Sequence, residues 1–189
     1  CTAQAIEMTP PRIVLVCGAG YVSGKEIVAL ELAKGLMARG VPPYVVASSW
    51  NDGDFVGRLR DDGITYELMP TGFISAKLTL DCLRMTGEQV LKWPRLLWSY
   101  RNMLRRERPT TIVHTNWHHL LLLWPFLSPY RDLFWLHECV PNSPRYRRLY
   151  HRLARRIGKF ICVSAAVARS LFDLGIAAEK VEVVHNGLS

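Results

Sequence analysis

No hydrophobic run in the sequence is long enough to cross a membrane. The longest, around Leu120 to Leu127, is about half of what a spanning helix needs, and no secretory signal with a basic start and a cleavage site is visible. Cysteine is scarce as well. Of five thiols, Cys17 and Cys162 sit inside apolar β-like runs, Cys82 in an amphipathic stretch and Cys139 just past a strand, so no disulfide framework is expected. These absences together predict a cytoplasmic protein with reduced thiols. Internal repeats and low-complexity segments are also missing. Acidic residues are absent from one long stretch: Arg145 to Lys159 carries seven Lys/Arg and no Asp or Glu, and Lys92 to Arg108 carries six against Glu107 alone.

What is present has a globular composition. The 189 residues are 49% hydrophobic and 21% charged, sufficient for one ordinary domain or a small pair whose core needs no staples. The net charge of +8 is concentrated in the two basic stretches, +5 and +7, which leaves −4 for everything else. Two readings fit such helices. Their arginines are either solvated surface or a contact for an anionic membrane or other polyanion through Arg105, Arg106, Arg147, Arg148, Arg152, Arg155 and Arg156, with Trp93 and Trp98 suited to a membrane interface. No RNP, helix-turn-helix or zinc-finger signature accompanies the charge, so nucleic acid is not expected as a partner.

Residues 1–11 are poorly patterned. Arg12 to Cys17 then reads as a strand buried on both faces, followed by the glycine-rich turn Gly18 to Gly24 and a helix from Lys25 with Val28, Ala29, Leu32, Ala33 and Leu36 inward and Gly40 as its stop. Strands are expected again at Tyr44 to Ser48, Ile64 to Met69, Thr110 to His114, Leu133 to His137, Phe160 to Val163 and Val181 to Val184. Helices are expected at Phe55 to Asp61, about 87–107 with Pro94 as an alternative clean start, Leu120 to Leu127, Arg145 to Ile157 and Ala165 to Leu174. The stripe expected for the helix over 87–107 is Val90, Trp93, Leu97, Tyr100 and Leu104. Strands alternating with helical crossovers predict an α/β fold: a doubly wound, mostly parallel Rossmann-like sheet of about seven strands.

In such a sheet ligands bind beyond the carboxyl ends of the strands. The residues there are Ser23, Gly24 and Lys25 after the first strand, His114, Asn116, His118 and His119 after the fourth, His137 and Glu138 after the fifth, and Ser164 after the sixth. The glycine turn is either a tight strand-to-helix connection or an anion or hydroxyl site at a helix start. Its spacing is GxGxxxG, and no carboxylate follows the second strand until Asp52, which weakens a dinucleotide fingerprint. His137 beside Glu138 suits proton transfer or hydroxyl binding at neutral pH. The alternative is that Glu138 caps the next segment while His137 packs. His114, His118, His119, His137 and Cys139 lack CxxC or HExxH regularity, so no metal site is expected.

Taken together, Ser23-Gly24-Lys25-Glu26 with its helix, Ile112 to His114, His137-Glu138, and the run from Val163-Ser164 through Leu174-Gly-Ile176 and Lys180-Val181 to Val184-His-Asn-Gly187 resemble the amino-terminal domain of the family-4 glycosyltransferases. That resemblance implies the first half of a GT-B enzyme, two Rossmann-like domains facing a cleft. Residues 12–185 would be the acceptor-side domain and 186–189 the start of the hinge to a carboxy-terminal donor-binding domain, its partner in the parent chain. Together with Cys1 as the first residue, this leads to the expectation of an excised, inactive piece of a longer enzyme. The parent would transfer a sugar, with retention and without an essential metal or other cofactor, from a nucleotide-diphosphate sugar to a glycan or lipid-linked acceptor. His137 would hydrogen-bond the transferred sugar or acceptor, and Gly24 with Lys25 would lie near the donor phosphates or acceptor. Ser23 replaces the family's usual first glycine, Asn116 stands where a second histidine is common, and Ser189 takes the place of a common Asp. An NAD(P)-binding oxidoreductase domain and a non-catalytic module for anionic membranes or other polyanions are the alternatives.

Overall fold

The computed structural model describes residues 11–18, 21–72, 74 and 79–186. The expectations for 1–10, for Ala19 and Gly20 of the glycine turn and for 187–189 lie outside the described residues. Seven strands form one sheet in the order β3-β2-β1-β4-β5-β6-β7, every pair parallel rather than most of them. They are β1 (Ile13–Cys17), β2 (Tyr44–Ser48), β3 (Tyr66–Met69), β4 (Thr111–His114), β5 (Asp132–Leu136), β6 (Lys159–Cys162) and β7 (Val181–Val183). The helices between them are α1 (Gly24–Ala38), α2 (Asp54–Asp61), α3 (Leu80–Glu107), α4 (Trp117–Leu122), α5 (Pro144–Ala154) and α6 (Ala165–Asp173).

The continuous apolar run of β1 reflects burial on both faces. Leu15 and Cys17 pack with Ala29, Leu30 and Ala33 of α1 and Phe55 of α2, whereas Val14 and Val16 join Leu96, Tyr100 and Met103 of α3. The side chains that share a face with Phe134 and Phe160 pack beneath α5 and α6, so α3 to α6 form one helical layer and α1 and α2 the other. The chain reverses direction across the sheet between β1 and β4, which opens a crevice at their carboxyl ends. Burial pushes the Cys17 thiol up, with Glu26 adding to the effect, and pushes Cys162 up to about 11. Both are unreactive packing groups, and no disulfide links the described cysteines.

The structure corrects several element assignments. Helix α3 starts at Leu80 and carries Pro94 inside it, and its buried residues are Gln89, Leu96, Tyr100 and Met103. Pro94 and Val90 both lie on the exposed side, where water can satisfy the carbonyl that proline's missing N–H leaves unpaired. Trp93 is held because its Nε1 donates to the Leu122 carbonyl at 2.7 Å. In α1, Leu30 and Glu26 are buried along with the expected Ala29 and Ala33, Leu32 packs half-buried against the core as expected, and Val28 and Leu36 are only half-buried. The segment 120–127 divides into the end of α4 and a 3-10 turn at Trp124–Phe126. Ile64 precedes β3, its N–H bound to the Leu59 carbonyl in the turn after α2, while Asp132 rather than Leu133 opens β5. Among the described residues no helix is long and apolar enough to cross a membrane.

Candidate functional site

The β1–α1 connection leaves β1 at Gly18, which has φ +102°, a conformation that strains any other residue; a Cβ there would also crowd the Ser48 backbone nitrogen at 3.1 Å. Ser23 caps α1, and its N–H donates to Glu26 Oε2 at 3.0 Å while its hydroxyl also donates to that carboxylate. This reciprocal use keeps Glu26, buried on α1, occupied with the helix start. Ser23 and Gly24 therefore stand outside the cavity described next, and Lys25 is the residue of that trio which lines it.

A cavity of about 600 Å³ lies at the carboxyl ends of β1 to β5. Gly18 and Lys25 form one side, Ser48 and Trp50 come from the end of β2, and Thr71 and Gly72 from the end of β3. The opposite side is Asn116, His118 and His119 at the start of α4 with His137 and Glu138 after β5, and the apolar floor includes Phe134, Val140 and Tyr150. Local hydrogen bonds set this wall. Ser48 Oγ donates to the Thr71 carbonyl at 2.7 Å, Gly72 N–H donates to Gln89 Oε1 at 2.8 Å, and Gln89 Nε2 donates to the Pro70 carbonyl at 2.8 Å. A Cβ on Gly72 would strike the Gln89 amide and the Trp50 ring, so glycine is required by close approach.

The electrostatics are unusual for a rim so rich in histidine. Burial first, and then the charge of Lys25, pushes His118 and His137 down to about 4. Burial first, and then the charges of His114 and His118, pushes His119 down to about 3. All three imidazoles are therefore neutral at pH 7, and Lys25 is the cation facing them. Four lining residues carry a buried polar atom with no protein partner among the described residues: Trp50 Nε1, Thr71 Oγ1, His119 Nδ1 and His137 Nε2. The cavity thus offers neutral hydrogen-bonding groups and one ammonium, with the exposed Glu138 at its edge, a set matched to hydroxyls beside an anion.

These shifts carry a pH dependence with a definite sign. In the unfolded chain the histidines titrate near the ordinary 6.5, so below that pH the unfolded state binds more protons than the folded one. Folding stability is expected to be fully present above pH 6.5 and to decline toward pH 4 as neutral imidazoles are retained against protonation. Urea melts at pH 7, 5.5 and 4.5 check this, and a His119→Gln variant with the same pH slope as the parent would contradict it.

The structure brings Lys25, Asn116, His118, His137 and Glu138 together and leaves the other expected site residues apart. His114 is fully buried on β4, and its Nε2–H donates to Asp132 Oδ1 at 2.8 Å, so it is a core histidine outside the cavity wall. Ser164 caps α6 by accepting from Val167 N–H. Asn116 caps α4, its Oδ1 accepting from His118 N–H at 3.0 Å, yet it also lines the cavity. Ser143, and not Glu138, caps α5. His119, expected on the fourth strand's rim, also lines the cavity, and Trp50, Thr71 and Gly72 join the wall without having been among the expected site residues. Among the described residues no three His, Cys, Asp or Glu side chains are grouped to hold a metal ion. Asp52, the candidate for a ribose diol, lies outside the cavity and accepts from Asp54 N–H in its own turn.

The basic residues are unequally available. Arg106 is tied to Glu67 and Glu107 at 2.7 Å and to the Tyr44 hydroxyl at 2.6 Å. Arg147 reaches Asn142 Oδ1 and the Asp173 carbonyl at 3.5 Å, Arg148 reaches the Pro144 carbonyl at 3.3 Å, and Arg156 lies over the Trp124 ring. Arg105, Arg152 and Arg155 are exposed.

A family model described as Glycosyltransferase Family 4 matches residues 22–189. No curated protein sequence matches the chain significantly. Among solved structures, Anabaena HepE in complex with UDP and glucose is similar with a TM-score of 0.62 and 18% identity, covering 94% of this chain and 45% of HepE. MurG of Acinetobacter baumannii has a TM-score of 0.58 and 16% identity over 90% of this chain and 44% of its own. The lipopolysaccharide outer core galactosyltransferase WaaB has 0.61 and 11% over 94% and 46%. The chain spans less than half the length of each of these three proteins.

Proposed function

The chain belongs to glycosyltransferase family 4, and from that premise we propose that it forms the acceptor side of an enzyme moving a sugar, with retention, from a nucleotide-diphosphate sugar to a glycan or lipid-linked acceptor. The observation that carries this reading is the set of three neutral imidazoles facing one ammonium at the switch point of the sheet. Sugar transfer breaks the bond between the anomeric carbon and the diphosphate oxygen and makes one to an acceptor hydroxyl. Negative charge grows on the departing diphosphate, and the ammonium of Lys25, which lines the cavity, would oppose it. In the tautomer protonated at Nδ1, His137 Nε2 accepts a hydrogen bond from a sugar or acceptor hydroxyl. A neutral group is suited to that task because it holds the hydroxyl without a competing charge.

A donor of the UDP-sugar class fits the ligands seen in HepE. The nucleotide would be held largely by a second domain, so the 189 residues alone are expected to fold and to transfer no sugar. The test supplies UDP- and GDP-sugars with candidate oligosaccharide and lipid-linked acceptors to a protein containing this chain and its donor domain, and follows the acceptor by mass spectrometry and the new linkage by NMR. A glycosylated acceptor with the donor's anomeric configuration supports the proposal. An inverted linkage overturns retention, and a change in donor without any transfer overturns the whole reading.

A further inference from the structure

Helix α3 has a second apolar face that the core does not use. Leu80, Leu91 and Trp98 follow one another at spacings of eleven and seven residues, which places them on one line along the side opposite Gln89, Leu96, Tyr100 and Met103. They are 86%, 83% and 68% exposed, and the exposed Leu83 and Val90 widen the strip. The strip runs about 27 Å along the helix at 1.5 Å per residue. No such row is needed for packing, and one this long is costly to leave against water.

The charges beside it are mostly basic, with Asp81 at the start of α3 as an exposed acid. Arg95, Arg101 and Arg105 are exposed on the same side of α3. The acid nearest the strip's middle, Glu88, pairs with Arg84 at 3.2 Å and lies 4.0 Å from Lys92. Exposed Arg152 of α5 and Arg155 just past its end belong to the same helical layer. An apolar strip with Trp98 in it, bordered by unopposed arginines, is complementary to a lipid surface with anionic headgroups: leucines enter the acyl boundary, the indole settles at headgroup level, and arginines extend to phosphates. A second copy of the chain is a poorer occupant, because a twofold contact through this strip would set its arginine row against an identical one.

We propose that the outer face of α3 docks the protein on an anionic membrane surface through Leu80, Leu91 and Trp98, with Arg95, Arg101 and Arg105 as its headgroup contacts. This moves the membrane contact expected from composition. Arg106 is occupied by Glu67 and Glu107, and Trp93 by the Leu122 carbonyl, whereas the leucines and Trp98 are free to enter the interface. The inner side of the same helix contributes Met85 to the cavity, and Lys92 covers the ring of cavity-lining Trp50 at 5.0 Å. The cavity therefore lies across α3 from the docked face.

Docking is read without donor or acceptor, so it stands or falls independently of sugar transfer. The 189-residue chain is co-sedimented with phosphatidylcholine vesicles with and without phosphatidylglycerol, at low and high salt. Binding is expected to the anionic vesicles only, weakened by salt. A Leu91→Glu, Trp98→Glu double variant should lose about tenfold in partitioning. An Arg95→Glu, Arg101→Glu variant should lose a similar factor together with the salt dependence. These side chains are exposed, so unchanged thermal melts confirm that folding is intact. Absence of binding to anionic vesicles, equal binding by the Leu91/Trp98 variant, or a dimer abolished by that variant in place of vesicle binding would each overturn the proposal.

Discussion

Replacing Asp132 by alanine is expected to cost the domain about 3–5 kcal/mol, the range for removing one partner of a buried charge pair. The carboxylate is fully buried at the start of β5. Its Oδ2 accepts from Ser128 N–H at 2.9 Å and from Arg131 Nε and a terminal guanidinium nitrogen at 3.1 and 3.0 Å, while Oδ1 accepts from His114 at 2.8 Å. Truncation leaves His114 inside the sheet without its acceptor and the mostly covered Arg131 guanidinium without its counter-charge. The unpaired groups, more than the lost bonds, make the penalty large. Asp132→Asn keeps the shape and one acceptor oxygen and should lose less. Urea unfolding measures both, and the alanine variant should melt lower by on the order of 10 °C. Alanine and parent melting within a degree or two of each other would show that the network is dispensable.

His137→Ala acts on chemistry instead of stability. Its ring is half-buried against Trp135, with centroids 4.7 Å apart, and its Nε2 lacks a protein partner among the described residues. Removing it therefore breaks no hydrogen bond of that nitrogen and leaves the melt nearly unchanged. In a protein containing this chain and its donor domain, sugar transfer should fall by about 10² to 10³, the typical effect of removing one preorganised hydrogen-bonding group that acts on the transition state. Because burial and Lys25 hold His137 down at about 4, its protonation should leave no inflection in the rate between pH 5.5 and 8. His137→Gln, which keeps a hydrogen-bonding end, should recover part of the loss. Near-normal turnover by His137→Ala would remove this residue from the site, and a limb near pH 6.5 that disappears in the variant would show the imidazole to be ordinary in its titration.

Much of the sheet could be read from the chain because its strands are buried on both faces. Ile13–Cys17 and Tyr44–Ser48 are nearly uninterrupted in apolar character, and Gly18, Gly40, Gly63 and Gly175 punctuate them at positive φ. Helix α3 resisted because it is apolar on two sides. Val90, Leu91 and Trp98 compete with Leu96, Tyr100 and Met103 for the same periodic signal, and a buried Gln89 obscures the true stripe further. Asp132 resisted because a carboxylate at the head of an apolar run reads as loop unless its partners, far away at His114 and adjacent at Arg131, are known to converge. Within the cavity, Lys25, Asn116, His118, His137 and Glu138 follow strand ends and could be placed by topology alone. Trp50, Thr71 and Gly72 belong to no motif; they enter the wall because Ser48 and Gln89 bind the two loops that carry them.

Gln89 also has a mechanical consequence. Its side chain receives Gly72 N–H and donates to the Pro70 carbonyl, both at 2.8 Å, from a position wholly sealed within α3. Shifting the helix by an ångström relative to the sheet must either drag residues 70–72 along or break both bonds, at about 1 kcal/mol each. Helix and loop are thereby tied through one side chain, so losing it, as in Gln89→Ala, releases the 70–72 wall of the cavity from α3 at both points at once.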